Sequence, residues 1–456
     1  MADTIAAIAS GMTNSGIGII RMSGPDAVKI GDAVFVPKNK KLSESETHTV
    51  HFGTIVDENK NVIDEVLVLI MKGPKSYTTE DVVEIDCHGG VVVLQKILEA
   101  VLRAGARPAE PGEFTKRAFL GGRIDLAQAE SVMGVISAEN ENALSASVNN
   151  LKGSLSNEIK SLREDILYEN AFIESALDDP EHISLDGYPE KLKGKVDEIL
   201  GRLGSLIDSF HDGELIREGI NTVLVGKPNA GKSSVWNTFL GKEKAIVTDI
   251  AGTTRDALEE KVNLNGILLK IVDTAGIRQT GDVVEKIGVD KSISYIDQAD
   301  LVLYVVDSSV PLDENDFDII EKIRDRQVII ILNKSDLEAV TDVENISSRL
   351  DKPVVSFSSV DGSGLDELKN VISDMFFKGN ISFNEQVYIT NIRQKNNCEM
   401  AASSLRNVLT SIENGMPEDF FSIDLIDAYT NLGFVIGESV EDDLVDKIFR
   451  EFCTGK

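Results

Sequence analysis

Gly226-Lys227-Pro228-Asn229-Ala230-Gly231-Lys232-Ser233 matches the phosphate-binding pattern G-x-x-x-x-G-K-[ST]. The apolar run Ile220–Val225 precedes it, and Ser234–Leu240 follows it. Strand, glycine-rich loop and helix is the context that this pattern needs. The glycines let backbone N–H groups turn inward around a phosphate. Lys232 is placed to reach the β- and γ-phosphates, and Ser233 to hold Mg²⁺.

Three further signals follow in order. Leu268–Val272 reads as a strand and runs into Asp273-Thr274-Ala275-Gly276, a D-x-x-G whose Asp bears on the Mg²⁺ shell and whose Gly offers N–H to a γ-phosphate. Val328–Leu332 reads as a strand and ends in Asn333-Lys334-Ser335-Asp336, where Asp336 can accept two hydrogen bonds from guanine N1 and N2. Ser358-Ser359 comes just after the strand Val354-Val355, where a backbone N–H can meet guanine O6. Thr254 is the switch candidate on Mg²⁺ and the γ-phosphate. Each signal alone is a short turn; four in order predict a GTP-binding α/β unit over roughly 214–379. The position after D-x-x-G, where Ras-like enzymes keep a water-orienting Gln, is Ile277. Arg255, Arg278 and Glu285 are the polar alternatives nearby, and spacing alone reads Glu285 as an exposed carboxylate at a helix start.

The 456 residues suggest two to four domains, and 42% hydrophobic residues supply cores. The formal charge of −30 excludes nucleic-acid binding through the overall field, so an RNA partner needs a local basic patch or a second protein. Cys87, Cys398 and Cys453 form no C-x-x-C, which fits a reducing cytosol. The start lacks a basic signal-peptide region, and no apolar run is long enough to span a bilayer. A cytoplasmic protein is expected.

Upstream, residues 1–118 read as mixed α+β. Ile17–Met22, Val66–Met71 and Val82–Asp86 are strands, and Val91–Leu102 is a helix. Residues 119–213 and 380–456 read as helical. Their stripes are Leu155, Ile159, Leu162, Ile166 and Leu167; Leu192, Val196, Ile199, Leu203 and Ile207; and Val440, Leu444, Ile448 and Phe452. The helical stretches are either separate bundles or one domain holding the α/β unit as an insertion.

Beyond these motifs, the chain resembles the tRNA-modification GTPases of the MnmE (TrmE) type along its whole length. The matching stretches are Gly16–Arg21, Ser76–Asp81, His88-Gly89-Gly90, Pro111–Leu120, Asp125–Glu130, Thr248–Asp256, Val284–Gly288 and the tail Phe452–Lys456. The resemblance implies an N-terminal α+β folate-binding and dimerisation domain, a helical domain in two parts, and an inserted Ras-like G domain. It implies a homodimer that joins an FAD- and NADH-using MnmG/GidA-type partner in a heterotetramer. Together they would install an aminomethyl or carboxymethylaminomethyl group at C5 of the wobble uridine, position 34, of certain tRNAs. 5,10-Methylene- or 5-formyl-tetrahydrofolate would occupy the folate site; the methylene form would supply the carbon, and glycine or ammonium the amine.

By position, the GTP site takes Asn229, Ala230, Gly231, Lys232, Ser233 and Ser234. It continues through Thr248, Asp249, Ile250, Ala251, Gly252, Thr253 and Thr254, then Asp273–Gly276, Asn333, Lys334, Asp336, Ser358 and Ser359. Ser233 and Thr254 would hold Mg²⁺. Asn229, Thr248, Ile250 and Thr253 would hold a K⁺ that replaces an arginine finger when two G domains meet, and Glu285 would orient water. Folate would be met by Arg21, Glu80, Arg123 and Lys456. Cys453 is read two ways: a catalytic thiol, acting on pyrimidine C6 or near folate, or a small apolar residue docking the last helix. Thr454 stands where the family tail usually has Ile, the turn Met12–Ser15 lacks the usual Pro-Gly-Arg character, and position 123 is Arg where some members have Lys. The alternative reading is a ribosome-assembly or signalling switch, which predicts a basic RNA-binding appendage.

Overall fold

Alternation builds the first sheet. Along β5 (Val62–Met71), Val66, Val68 and Ile70 are buried while Leu67 between them is exposed. The computed structural model describes residues 3–242, 260–264, 266–271, 296–377, 387–438, 440, 442–450 and 452–455. The chain divides into two compact units, one of residues 1–133, 151–196 and 400–456, the other of residues 134–150 and 197–399.

The first unit holds a seven-stranded sheet of order β3-β4-β5-β6-β2-β1-β7. Besides β5 its strands are β1 (Ile5–Ile8), β2 (Ser15–Ser23), β3 (Phe35–Pro37), β4 (Thr49–Val56), β6 (Val82–Gly89) and β7 (Arg107–Pro108). Helices α1 (Ala27–Val34) and α2 (Val91–Arg103) bury Ala27, Ile30, Val34, Leu94, Ile97 and Val101 in one core with Ile20, Met22, Val68 and Ile85 of the sheet. The β2–β6 register sets Arg21 opposite Glu84. Helix α3 (Glu113–Leu120) follows the left-handed Gly112, and α4 (Leu126–Ser137) comes next; α5 (Glu141–Leu151) belongs almost wholly to the second unit, where it buries Ala143 and Ala146.

In α6 (Ser154–Asp178), Leu155, Ile159, Leu162 and Ile166 are buried, but Leu167 is exposed. It sits about 100° around the helix from Ile166, off the stripe. On the last helix, Asp442–Arg450, the four-residue repeat read from the sequence drifts around the axis. Leu444 is 43% exposed, and Val445 and Phe449 are the buried residues, continued by Phe452. Val445, Phe449 and Phe452 form a core with Leu126 and Ala129, flanked by Phe119. That packing delivers the C-terminal tail to the first sheet: the Cys453 carbonyl accepts from the Gly112 N–H. Gly455, with φ +94°, lies so close to β1 that a Cβ would fall 2.4 Å from the Ile8 carbonyl oxygen.

The second unit includes the later part of α7 (Tyr188–Glu218) and a six-stranded sheet of order β13-β12-β11-β8-β10-β9. Its strands are β8 (Ile220–Val225), β9 (Glu260–Leu264), β10 (Ile267–Ile271), β11 (Leu301–Asp307), β12 (Val328–Asn333) and β13 (Val354–Ser356). All neighbours pair in parallel except β9 with β10. Every residue of β11 and β12 is buried, as central parallel strands covered on both faces require. The two faces carry separate cores. One holds Trp236, Phe239 and Phe357; the other holds Tyr304, Ile320 and Ile346. Parallel strands put the ends of β8, β11, β12 and β13 on one edge, where ligands bind open α/β sheets.

Candidate functional sites

At the end of β8 the chain turns through Gly226 (φ +148°), Asn229 (φ +65°) and Gly231 (φ +92°) into α8 (Lys232–Lys242). Both glycines are required sterically. A Cβ on Gly226 would lie 2.2 Å from the Val305 carbonyl oxygen, and one on Gly231 would lie 2.1 Å from Asn333 Nδ2. Lys232 Nζ folds over the loop and donates to the carbonyls of Gly226 (2.8 Å) and Lys227 (2.9 Å). Burial pushes its pKa down, so an anion in the loop gains a poorly solvated cation. Ser233 sits in the first turn of α8, where the helix dipole also favours negative charge.

Lys227 anchors the loop from outside by pairing with Asp313 (2.9 Å) and Asp316 (2.6 Å), and Asp316 also accepts from the Tyr304 hydroxyl (3.1 Å). Burial works against the Lys227 charge, but the two carboxylates outweigh it and raise its pKa.

The end of β12 is tied to the same loop. Buried Asn333 donates from Nδ2 to the Ala230 carbonyl (2.9 Å) and accepts at Oδ1 from Ser359 Oγ (3.3 Å). Lys334 adopts φ +63° and pairs with Asp307, the last residue of β11. Burial would raise the Asp307 pKa; the Lys334 ammonium and Ser309 outweigh that and hold it below the ordinary carboxylate value. Ser358 Oγ donates to Asp336 Oδ1 (3.0 Å) and so orients the exposed carboxylate. Between α8 and Ser359–Gly362 opens a pocket of about 390 Å³, lined by Ser234, Asn237, Thr238 and Asp361. Asn229, Ala230, Gly231, Lys232, Ser233, Asn333, Lys334, Asp336, Ser358 and Ser359 thus stand along one sheet edge.

In the first unit a second group gathers around Tyr77. The Arg21 guanidinium lies 5.9 Å from the Tyr77 ring centroid and 5.6 Å from that of Phe114. That of Arg123 lies 4.9 Å from the Tyr77 ring, and its Nη1 donates to the Tyr77 carbonyl (3.0 Å). Arg21 Nε pairs with Glu84 (2.6 Å), and its Nη1 donates to the Gly455 carbonyl (3.1 Å). Glu80 accepts from Ser23 Oγ (2.7 Å) and Arg117 Nη1 (3.0 Å). Burial disfavours the Arg117 charge, but Glu80 and Glu113 outweigh it and raise its pKa. Two planar cations and two rings suit a flat, anionic ligand.

Two family models match the chain. The family model described as "GTP-binding protein TrmE N-terminus" matches residues 4–123, and "MnmE helical domain" matches residues 126–453. The "tRNA modification GTPase MnmE" of Lachnoclostridium phytofermentans is 56% identical over 100% of this chain and 99% of its own length. The chain belongs to the MnmE family of tRNA modification GTPases. Relatives of the same description from Acetivibrio thermocellus and Clostridioides difficile are each 47% identical over 100% of this chain and 99% of their own length. The MnmE assignment makes the loop at Gly226–Ser233 part of a GTP hydrolase that takes part in tRNA modification.

Several MnmE-type candidates lie outside the described residues: Thr248 through Thr254, Asp273 through Gly276, Glu285 and Lys456. Cys453 is exposed, whereas Cys87 and Cys398 are buried. Sequence reading missed Asp307, Asp316 and Arg117, which act through partners distant in the chain. Tyr77 and Phe114 lay inside stretches that carried the family resemblance, yet nothing local marked their rings as neighbours of Arg21.

Proposed function

We propose that this chain, with an FAD- and NADH-using MnmG/GidA-type partner, installs an aminomethyl or carboxymethylaminomethyl group at C5 of uridine 34 in certain tRNAs. The carbon comes from a tetrahydrofolate held in the first unit. The observation that carries the folate reading is Arg21: its guanidinium is fixed between Glu84 and the Gly455 carbonyl beside the Tyr77 and Phe114 rings. Arg21 and Arg123 meet the anionic glutamate tail, Glu80 faces the pterin edge, and Lys456 adds a cation from the tail. Methylene-tetrahydrofolate, when bound, would supply the one-carbon unit; the 5-formyl form would occupy the same site.

The proposed domains are 1–118, 119–213, 214–379 and 380–456, working as a cytoplasmic homodimer within a heterotetramer. In the G domain, Ser233 and Thr254 hold Mg²⁺, and Asp273 through Gly276 meet the γ-phosphate. The left-handed turn at Asn229 supports its role as a K⁺ ligand beside Thr248, Ile250 and Thr253. K⁺ supplies positive charge against the transferring phosphoryl group as two G domains meet. Ala251 and Gly252 lie within the same segment, Asp249 among its ligands' neighbours, and Ser234 follows Ser233 on α8. Glu285 orients the attacking water. For Cys453 two readings stand, a thiol in the modification chemistry or a small residue docking the last helix.

The test is reconstitution with the FAD-loaded partner, tRNA, NADH, GTP, Mg²⁺, K⁺, methylene-tetrahydrofolate and glycine or ammonium as the amine. The modified nucleoside forms with wild type, and Arg21→Ala loses both folate binding and product while GTP hydrolysis persists. Product formation by Arg21→Ala at the wild-type rate would remove the folate assignment.

A further inference from the structure

The chain carries a charge of −30, yet its family acts on tRNA, whose phosphates repel such a surface. A local basic surface must therefore exist on this chain if it meets the RNA directly. One corner of the first sheet meets that requirement. Segments 36–49 and 72–75 hold Lys38, Lys40, Lys41, Lys72 and Lys75 against two carboxylates, Glu44 and Glu46, a local balance of +3.

Topology gathers the five. Strand β3 runs antiparallel to β4, and β4 antiparallel to β5, so β3 and β5 end on the same side of the sheet. Lys38 leaves the end of β3 level with Phe52 and Leu67, and Lys72 leaves the end of β5 five residues farther along, so the two backbones stand roughly 19 Å apart and the segment 39–48 runs between them. Hydrogen bonds knit the connection: Ser45 Oγ donates to the Lys41 carbonyl (2.8 Å), and Lys72 Nζ donates to the Ser45 carbonyl (2.7 Å). Lys38 Nζ is held 4.4 Å from the centroid of the Phe52 ring, which is 43% exposed. Lys38, Lys40, Lys41 and Lys75 are exposed.

Their lack of acid partners separates them from the ion-paired basic side chains of this unit. Arg21, Arg103, Arg107, Arg117, Arg163, Lys116, Lys193 and Lys195 each pair with a carboxylate. None of the five forms an ion pair among the described residues. The nearby acid Asp32 is half-buried and accepts the Leu42 and Ser43 N–H groups, and pairs with none of the five lysines. Asp81 likewise accepts the Gly73 N–H.

We infer that Lys38, Lys40, Lys41, Lys72 and Lys75 form a phosphate-binding surface for the tRNA backbone. The surface orients the substrate without reading its sequence, since ammonium groups here meet phosphate and not base edges. The inference rests on the family's action on tRNA.

The test uses the full-length protein and a deacylated tRNA, with affinity measured by fluorescence anisotropy from low to physiological salt. Replacing all five lysines by Ala should weaken binding at least about tenfold at low salt. It should flatten the plot of log affinity against log salt by about one for each phosphate that a lysine no longer neutralises. Lys→Arg at the same five positions should retain binding, and Lys60→Ala with Lys96→Ala should leave it unchanged. GTP hydrolysis and the sedimentation mass should match wild type throughout. The inference is overturned by an unchanged salt slope, by wild type that does not bind tRNA, or by a mass change that accompanies the weakened binding. It is equally overturned if the Ala variant loses adhesion to phosphatidylserine vesicles but keeps tRNA. A wild type that binds tRNA but yields no modified nucleoside with its partner would count against the proposed chemistry and not against this surface.

Discussion

Asn333 Nδ2 donates to the Ala230 carbonyl at 2.9 Å, joining the end of β12 to the phosphate loop. The two sequence motifs, a hundred residues apart, are thereby one mechanical object. A buried side-chain amide that bridges them fixes the separation between the glycine-rich loop and Asp336, the carboxylate proposed to read the base.

Gly231→Ala should disable that joint. The added Cβ would lie 2.1 Å from Asn333 Nδ2, and φ +92° is unfavourable for alanine. Loss of the amide hydrogen bond alone costs about 1–3 kcal/mol when a buried acceptor is left unsatisfied. Affinity for a fluorescent GDP analogue should fall by more than tenfold while the second unit stays folded by circular dichroism.

Asp336→Asn should change the base preferred. Ser358 Oγ fixes the orientation of the carboxylate, which in the proposed site would accept from both N1–H and the N2 amine of guanine. A carboxamide offers one acceptor and one donor, which suits xanthine, whose second position carries an oxygen. Charge-assisted hydrogen bonds contribute about 1.5–3 kcal/mol each, so GTP affinity should drop roughly 10–100-fold and XTP affinity should rise. Competition binding with the two triphosphates reads the switch.

The pH behaviour of the nucleotide-free protein should reveal Lys232. Burial lowers its folded pKa below the unfolded value of 10.5. Between those two values the unfolded chain binds more protons, so this group's contribution to stability rises with pH. Below both values the charged side chain destabilises the empty loop. Lys232→Met should therefore raise the Tm of the nucleotide-free protein near neutral pH and remove the stabilisation that GTP gives wild type. Differential scanning fluorimetry with and without GTP measures both effects.

Thiol labelling should distinguish the three cysteines. Cys453 is exposed, whereas burial raises Cys87 to about 11 and Cys398 to about 12. One thiol per chain should react rapidly with a disulfide reagent near neutral pH, and Cys453→Ser should abolish that phase. The other two should react only on unfolding. A fast phase that survives Cys453→Ser would contradict this assignment.

Short-range patterns were legible in the sequence. Residues 220–225 form β8 over the span that their apolar run predicts, and the turn residues Gly226 and Gly231 mark the loop. Asn333 and Asp336 were legible because the motif is contiguous and follows a buried strand. What escaped depends on distant pairing. Asp307 looks like any strand-end acid until β11 lies beside β12 and brings it to Lys334. The Arg21–Glu84 pair follows from an antiparallel register that no local signal sets. Leu444 shows the limit of a four-residue repeat, because a 3.6-residue helix turns such a stripe away from the core.

Mass spectrometry of tRNA nucleosides from cells with and without this gene tests the proposed modification chemistry most directly. The account predicts loss of C5-aminomethyl-type wobble uridines in the deletion strain. Wild type should restore them, and Glu285→Ala should not. A nucleoside profile unchanged by the deletion would contradict the account and favour a GTP-dependent switch without a role in the modification chemistry.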